Sequence, residues 1–89
     1  MGAEIRWTEE SEEHIARHRV APDEVEEAVY GRPRLVAPGR QDTRLVFGTT
    51  AAGRYLAVVV AESLDGLDYV VTARQMADSE RRSFLRRAR

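Results

Sequence analysis

Arginine is the residue whose placement in this sequence points most directly to chemistry. All 14 basic residues are Arg. The chain therefore offers guanidinium groups, which bind phosphate and carboxylate through paired hydrogen bonds, but no amine that could act as a general base. A predicted cluster at one sheet end and on the helix after it contains Arg54, Arg74, Arg81 and Arg82. Such a cluster can bind a phosphate and stabilise charge developing on it; the alternative is a solvated helix face and strand end.

The predicted pairing of two consecutive strands sets the positions of these arginines. If a tight loop joins the strands, Glu62 lies near Asp68, and counting back along both strands places Leu56 opposite Arg74. Arg54 and Glu62 are then roughly 26 Å apart, at about 3.3 Å per residue. Because this distance excludes a joint catalytic role, the sequence predicts two separate sites, one at each end of the sheet.

Two residues are candidates for acid–base chemistry. Glu62 ends a predicted buried strand, where desolvation would raise the pKa of its carboxyl; a structural salt bridge with an arginine is the alternative. His18 has an ordinary pKa close to neutrality, which suits proton transfer, although a histidine that packs at a helix end is the simpler interpretation. His14 and His18 share a helix face, but no third ligand accompanies them. We therefore predict no metal and no cofactor.

Two tyrosines on predicted strands, Tyr55 and Tyr69, can stack on nucleic-acid bases. Together with Arg81 and Arg82 they form the predicted RNA-binding set. Packing at the core or its rim is the alternative for aromatic side chains, and we prefer it for Trp7.

Hydrophobic periodicity and turn residues predict the elements that carry these side chains. Thr8 is a candidate N-cap and Pro22 suits a first helical turn. The predicted elements are strands at 3–7, 34–37, 43–50, 54–62 and 68–74 and helices at 9–18, 22–30 and 78–89. The fold class is α+β: a short N-terminal strand, two helices, a three- to four-stranded antiparallel meander and a C-terminal helix. We expect the helices on one face, with the other open.

Composition indicates one globular domain spanning residues 1–89. The longest apolar run, residues 55–61, is too short to cross a bilayer, and there is no cysteine. We therefore expect a cytoplasmic location and no membrane partner. The net charge of −1 conceals a strong asymmetry: residues 1–31 carry nine acids and three arginines, whereas residues 32–89 carry eleven arginines and six acids. The protein is therefore polarised in charge.

Several stretches, in this order, resemble the BrnT family of bacterial toxins, ribonucleases with a RelE-like fold. They are "IRW" near the start, "HIARHRV", "EVEEA", "GRYLAVVVAE" and "YVVTARQMADSERRSF". The resemblance spans nearly the whole chain. It implies RNA cleavage without a metal, neutralisation by a BrnA-like antitoxin, and no specific DNA binding without that antitoxin. The polar residues that match by position are His18, Arg44, Glu62, Arg74, Glu80 and Arg81.

Three positions depart from the family pattern. Ser11 stands where the family often has a lysine, and Arg19 replaces a glycine, so the first helix must end with a non-Gly residue at positive φ or by another route. Ala77 replaces a capping threonine, which leaves Asp78 or Ser79 to cap the last helix. The alternative function is a catalytically silent, protein-binding subunit of a transcription-regulating complex.

Overall fold

The computed structural model describes residues 4–89. Its strands are β1 (Ile5–Arg6), β2 (Leu35–Pro38), β3 (Thr43–Thr49), β4 (Tyr55–Glu62) and β5 (Asp68–Gln75), and its helices are α1 (Glu9–Ala16), α2 (Pro22–Tyr30) and α3 (Asp78–Arg87). Each predicted element is present, with ends that differ by up to two residues. The predicted first strand began at residue 3, which lies outside the described residues.

The strands form one five-stranded sheet in the order β1-β5-β4-β3-β2. Strands β2 to β5 are antiparallel neighbours, as the predicted meander requires, and β1 adds a fifth strand that runs parallel to β5. The α+β class and the order of elements are confirmed. The RelE-like fold stays a prediction.

Helices α1 and α2 cover one face of the sheet and enclose the main core. Alternate residues of β4, Leu56, Val58 and Val60, point into this core and are almost fully buried. From the helices they meet Ile15 and Val25, which are also fully buried. Alternation with a period of two on the strand and an apolar stripe on each helix therefore bury the same face.

Helix α1 begins and ends as its sequence requires. Thr8 is the N-cap, and its side chain and that of Ser11 bond reciprocally to each other's backbone N–H. At the other end, Val20 N–H donates to the Ile15 carbonyl and Arg19 N–H to the Ala16 carbonyl, the hydrogen bonds of a Schellman motif. Arg19 has φ 59°, which confirms that a non-Gly residue at positive φ ends the helix.

Helix α3 packs on the face opposite α1 and α2, so the expectation that all helices share one face was wrong. Phe84 is 2% exposed and packs against Phe47 and Ala57, whose side chains point away from the main core. The ring of Tyr55 meets that of Phe84 edge-on at 5.9 Å. A single apolar side chain on an Arg-rich helix can be buried against either face of a sheet. Here the face that carries Phe47 also offers the edge-on contact with the Tyr55 ring.

A β-bulge shifts the register between β4 and β5. Glu62 pairs with Asp68 as predicted, but Val59 pairs with Thr72 while Val60 pairs with Val70, which leaves Val71 unpaired. Beyond the bulge every pairing is displaced by one residue. The predicted pairing of Leu56 with Arg74 was therefore wrong: Leu56 pairs with Gln75, and Ala57 pairs with Arg74.

Candidate functional site

Arg54 and Arg74 lie at the same end of the sheet, as predicted, but they extend from opposite faces. Arg54 precedes Tyr55 at the start of β4 and extends towards the face covered by α2, where its Nη1 lies 2.8 Å from Glu24 Oε1. The same nitrogen donates to the carbonyl oxygen of Arg19 at 2.9 Å. Arg54 therefore joins the end of α1, the start of α2 and the start of β4.

Arg74 lies on the other face, beside Ala57, and forms a bidentate ion pair with Glu80 of α3. Its Nη1 and Nη2 lie 2.7 and 2.9 Å from the two carboxylate oxygens. The hydrogen bonds from Arg74, and then one from Ala77 N–H, hold the pKa of Glu80 below its usual range, while Glu80 raises the pKa of Arg74.

The two ion pairs share one local design. In "APDE" and "ADSE" an alanine is the N-cap, and the glutamate three residues later accepts the backbone N–H of that alanine. The same carboxylate then binds an arginine at a strand end, so a helix start is fixed to the sheet. For Glu24 the hydrogen bond from Ala21 N–H, and next the one from Arg54, lower the pKa. The expectation that Asp78 or Ser79 caps α3 was wrong, because Ala77 occupies the N-cap and Glu80 accepts its N–H.

Beside Arg74, on the part of the sheet face that α3 leaves uncovered, lies a cavity of about 550 Å³, here called the sheet-face groove. Its floor is Leu45 and Val59, which pair with each other on β3 and β4. Its lining residues are Pro38, Gly39, Arg40, Thr43, Leu45, Val59 and Arg74. Two arginines, Arg40 and Arg74, therefore border an apolar floor.

Arg40 is the lining residue that sequence reasoning missed. It lies in the β2–β3 hairpin, where Gln41 and Asp42 both have positive φ, 53° and 63°, and Thr43 N–H closes the turn on the Arg40 carbonyl. These are the features of a type I′ turn. The signal that could have placed Arg40 is its position in the short segment between the predicted strands 34–37 and 43–50, next to the sheet.

A second, polar cavity of about 320 Å³, here called the end pocket, lies on the other side of the α3 N-terminus. Tyr55 and Arg81, both in the predicted RNA-binding set, line it, and the Arg81 guanidinium carbon lies 4.3 Å from the Tyr55 ring centroid. Arg54 also lines this pocket, so three predicted residues meet there. Arg82 is exposed on α3 and lines neither cavity.

The remaining predicted residues lie away from both cavities. Glu62 is exposed at the opposite end of β4, so the burial expected for it is not found. Arg44 lies near that end and its Nη2 is 2.8 Å from the buried Asp68. Tyr69 is half-buried, with the Arg6 guanidinium 5.9 Å from its ring. The two ends of the sheet are thus separate, as the strand geometry predicted.

The histidines do not join these groups. His18 is exposed in the turn after α1, next to Arg19, while His14 Nδ1 lies 3.1 Å from the carbonyl oxygen of Val71. Among residues 4–89, no set of three His, Cys, Asp or Glu side chains is placed to bind a metal ion. The two histidines therefore lie in different surroundings and do not form part of a metal site among residues 4–89.

Comparisons of the chain with protein-family models, curated proteins and solved structures give no significant match. Within the described residues, no helix has the length and apolar character needed to cross a bilayer.

Proposed function

We propose that this chain is a BrnT-like toxin of the cytoplasm, an endoribonuclease that needs no metal and that a BrnA-like antitoxin neutralises. The observation that carries the proposal is the sheet-face groove, where Arg74 and Arg40 border an apolar floor. RNA presents alternating phosphates and flat bases, and arginines beside a shallow apolar surface suit both. The groove is therefore the proposed RNA-binding site.

The side chains of the groove are better suited to stabilise negative charge than to transfer a proton. When a ribose 2′-hydroxyl attacks the adjacent phosphorus, the bond from O2′ to phosphorus forms and the bond from phosphorus to O5′ breaks. The O2′ proton passes to water, O5′ takes a proton from water, and negative charge grows on the phosphoryl oxygens. Arg74 and Arg40 are placed to stabilise that charge. Glu80 is the nearest carboxylate to Arg74, and its lowered pKa makes it a weak proton acceptor. The expected chemistry is charge stabilisation by arginine.

Growth provides the cellular test of this proposal. Expression of the chain alone should arrest bacterial growth, and Arg74→Ala should relieve the arrest because it removes one of the two cations of the groove. Arg17→Ala is the matched control, since Arg17 is exposed at the end of α1, away from the groove. Growth unaffected by the unsubstituted protein at high expression would contradict the nuclease proposal, provided that the protein accumulates and is folded.

A second function has an observation in its favour. Arg54 and Arg74 are each paired with a glutamate, while Glu62 and His18 lie outside the groove. This arrangement suits a catalytically silent member of the same type, which acts as a protein-binding subunit of a regulatory complex. This second function predicts that the protein forms a stable complex with the product of an adjacent gene and that its expression alone leaves growth unimpaired. Failure of that gene product to copurify would count against the second function.

A further inference from the structure

The outer surface of α3 carries an exposed leucine among arginines. Leu85 is 62% exposed, and Arg81 and Arg82 precede it by four and three residues, so they flank it on the helix surface. Arg86 follows it and is also exposed. We call Arg81, Arg82, Leu85 and Arg86 the α3 surface. Phe84, buried against the sheet, fixes the orientation of this helix and therefore of its outer surface.

The arginines of the α3 surface differ from the arginines of the strands in one respect. The ion pairs among residues 4–89 use Arg6, Arg44, Arg54 and Arg74. None of these ion pairs involves an arginine of α3. Asp78, the first residue of α3, takes part in none of them either. The four paired arginines, whose side chains are 25–55% exposed, thus have an acidic partner within the described residues, whereas the arginines of the α3 surface have none there.

We propose that the α3 surface is a docking site for an acidic segment of a partner protein that places an apolar side chain against Leu85. Protein interfaces concentrate binding energy in a desolvated apolar or arginine contact with a polar rim, and Leu85 with its three arginines has this layout. Charge complementarity selects an acidic partner. The proposal deepens the proposed function, on which the existence of a partner protein rests.

RNA fits the α3 surface less well than a protein does. Single-stranded RNA is held by aromatic side chains that stack on its bases, whereas the exposed centre here is an aliphatic leucine. The aromatic ring that contacts Arg81, Tyr55, packs edge-on against Phe84 and already has the Arg81 guanidinium over it. The exposed leucine contributes to binding only if the partner offers an apolar side chain.

Binding of designed peptides tests the proposal directly. The probe is a fluorescein-labelled amphipathic helical peptide of Glu and Leu, and its control is the same peptide with Ser in place of Leu; both are titrated with the whole protein and followed by fluorescence anisotropy. The Glu/Leu peptide should bind more tightly than the Glu/Ser peptide. Leu85→Ser should weaken its binding about tenfold, the scale of one lost interface anchor, and added salt should weaken it further.

Matched variants separate docking from general effects. Leu64→Ser removes another exposed leucine, in the β4–β5 turn, and should leave binding unchanged. Arg82→Glu with Arg86→Glu should abolish binding, whereas Arg17→Glu should change it little. Circular dichroism checks that each variant is folded. If Leu85→Ser does not fold, Leu85→Ala takes its place.

Three outcomes overturn the docking proposal: no binding of the Glu/Leu peptide, equal binding by Leu85→Ser, or loss of RNA-oligonucleotide binding in the Arg82→Glu, Arg86→Glu variant with peptide binding intact. The last outcome would assign the α3 surface to RNA. These results are distinguishable from failure of the proposed nuclease, because Arg74 and the sheet-face groove are left unchanged and RNA cleavage is assayed on the same variants.

Discussion

At the residue scale, Arg54 and Arg74, both predicted to stabilise charge on a phosphate, lie in different surroundings. Arg54 binds Glu24 and the Arg19 carbonyl and so connects three elements, which is a structural role. Among residues 4–89, Arg74 binds Glu80 and the neighbouring Gln75 carbonyl, and it also lines the sheet-face groove. Of the two, Arg74 is therefore the one placed to reach a ligand.

The Arg74–Glu80 pair predicts how stability depends on pH. Because the folded-state pKa of Glu80 lies below the ordinary value of 4.5, its ionised form stabilises the folded protein. This contribution is complete above the unfolded-state value and is lost as pH falls through the folded-state value. Glu80→Gln should therefore lower the melting temperature at neutral pH and make the decline of the melting temperature shallower as pH falls below 4.5.

Thermal melts followed by circular dichroism at several pH values measure this effect. Glu62→Gln is the matched control, since Glu62 is exposed and forms no ion pair within residues 4–89. The side chain of Glu80 is 24% exposed, so solvent screening limits the pair to about 1 kcal/mol. Parallel pH profiles for Glu80→Gln and the unsubstituted protein would contradict this account.

At the element scale, the position of α2 depends on a glycine in β3. Gly48 is buried opposite Leu56 and faces α2, and a Cβ atom there would collide with the carbonyl oxygen of Ala28 and lie 2.9 Å from the carbonyl carbon. Gly48→Ala should therefore push α2 away from the sheet and lower the free energy of unfolding by about 1–3 kcal/mol. Urea denaturation measures the change, and unaltered stability would show that α2 moves without cost.

The helices and strands were predictable from sequence because each has its own local signal. Thr8 caps α1, Pro22 opens α2, and β4 is a short apolar run rich in valine. The bulge at Val71 was not predictable, because it lies within an uninterrupted run of strand-forming residues. The face chosen by α3 was not predictable either, since Phe84 alone does not select one side of a sheet.

At the scale of the whole molecule, the charge asymmetry seen in the sequence becomes a spatial one. The acidic residues of α1 and α2 lie on one side of the sheet and the arginines of α3 on the other. Part of the candidate site was predictable: strand counting placed Arg54 and Arg74 at one end and Glu62 at the other. The Glu24–Arg54 pair was not, because it joins residues 30 positions apart through the packing of α2.

The measurement that tests the central claim most directly is cleavage of a mixed RNA by the purified protein in EDTA. Three proteins are compared at matched circular dichroism: the unsubstituted chain, Arg74→Ala and the control Arg17→Ala. If Arg74 stabilises charge on the reacting phosphate, Arg74→Ala should reduce cleavage at least about a hundredfold, on the scale of one lost oxyanion donor, while Arg17→Ala retains activity. Equal cleavage by all three, or none by the unsubstituted protein, would contradict RNA cleavage in the sheet-face groove.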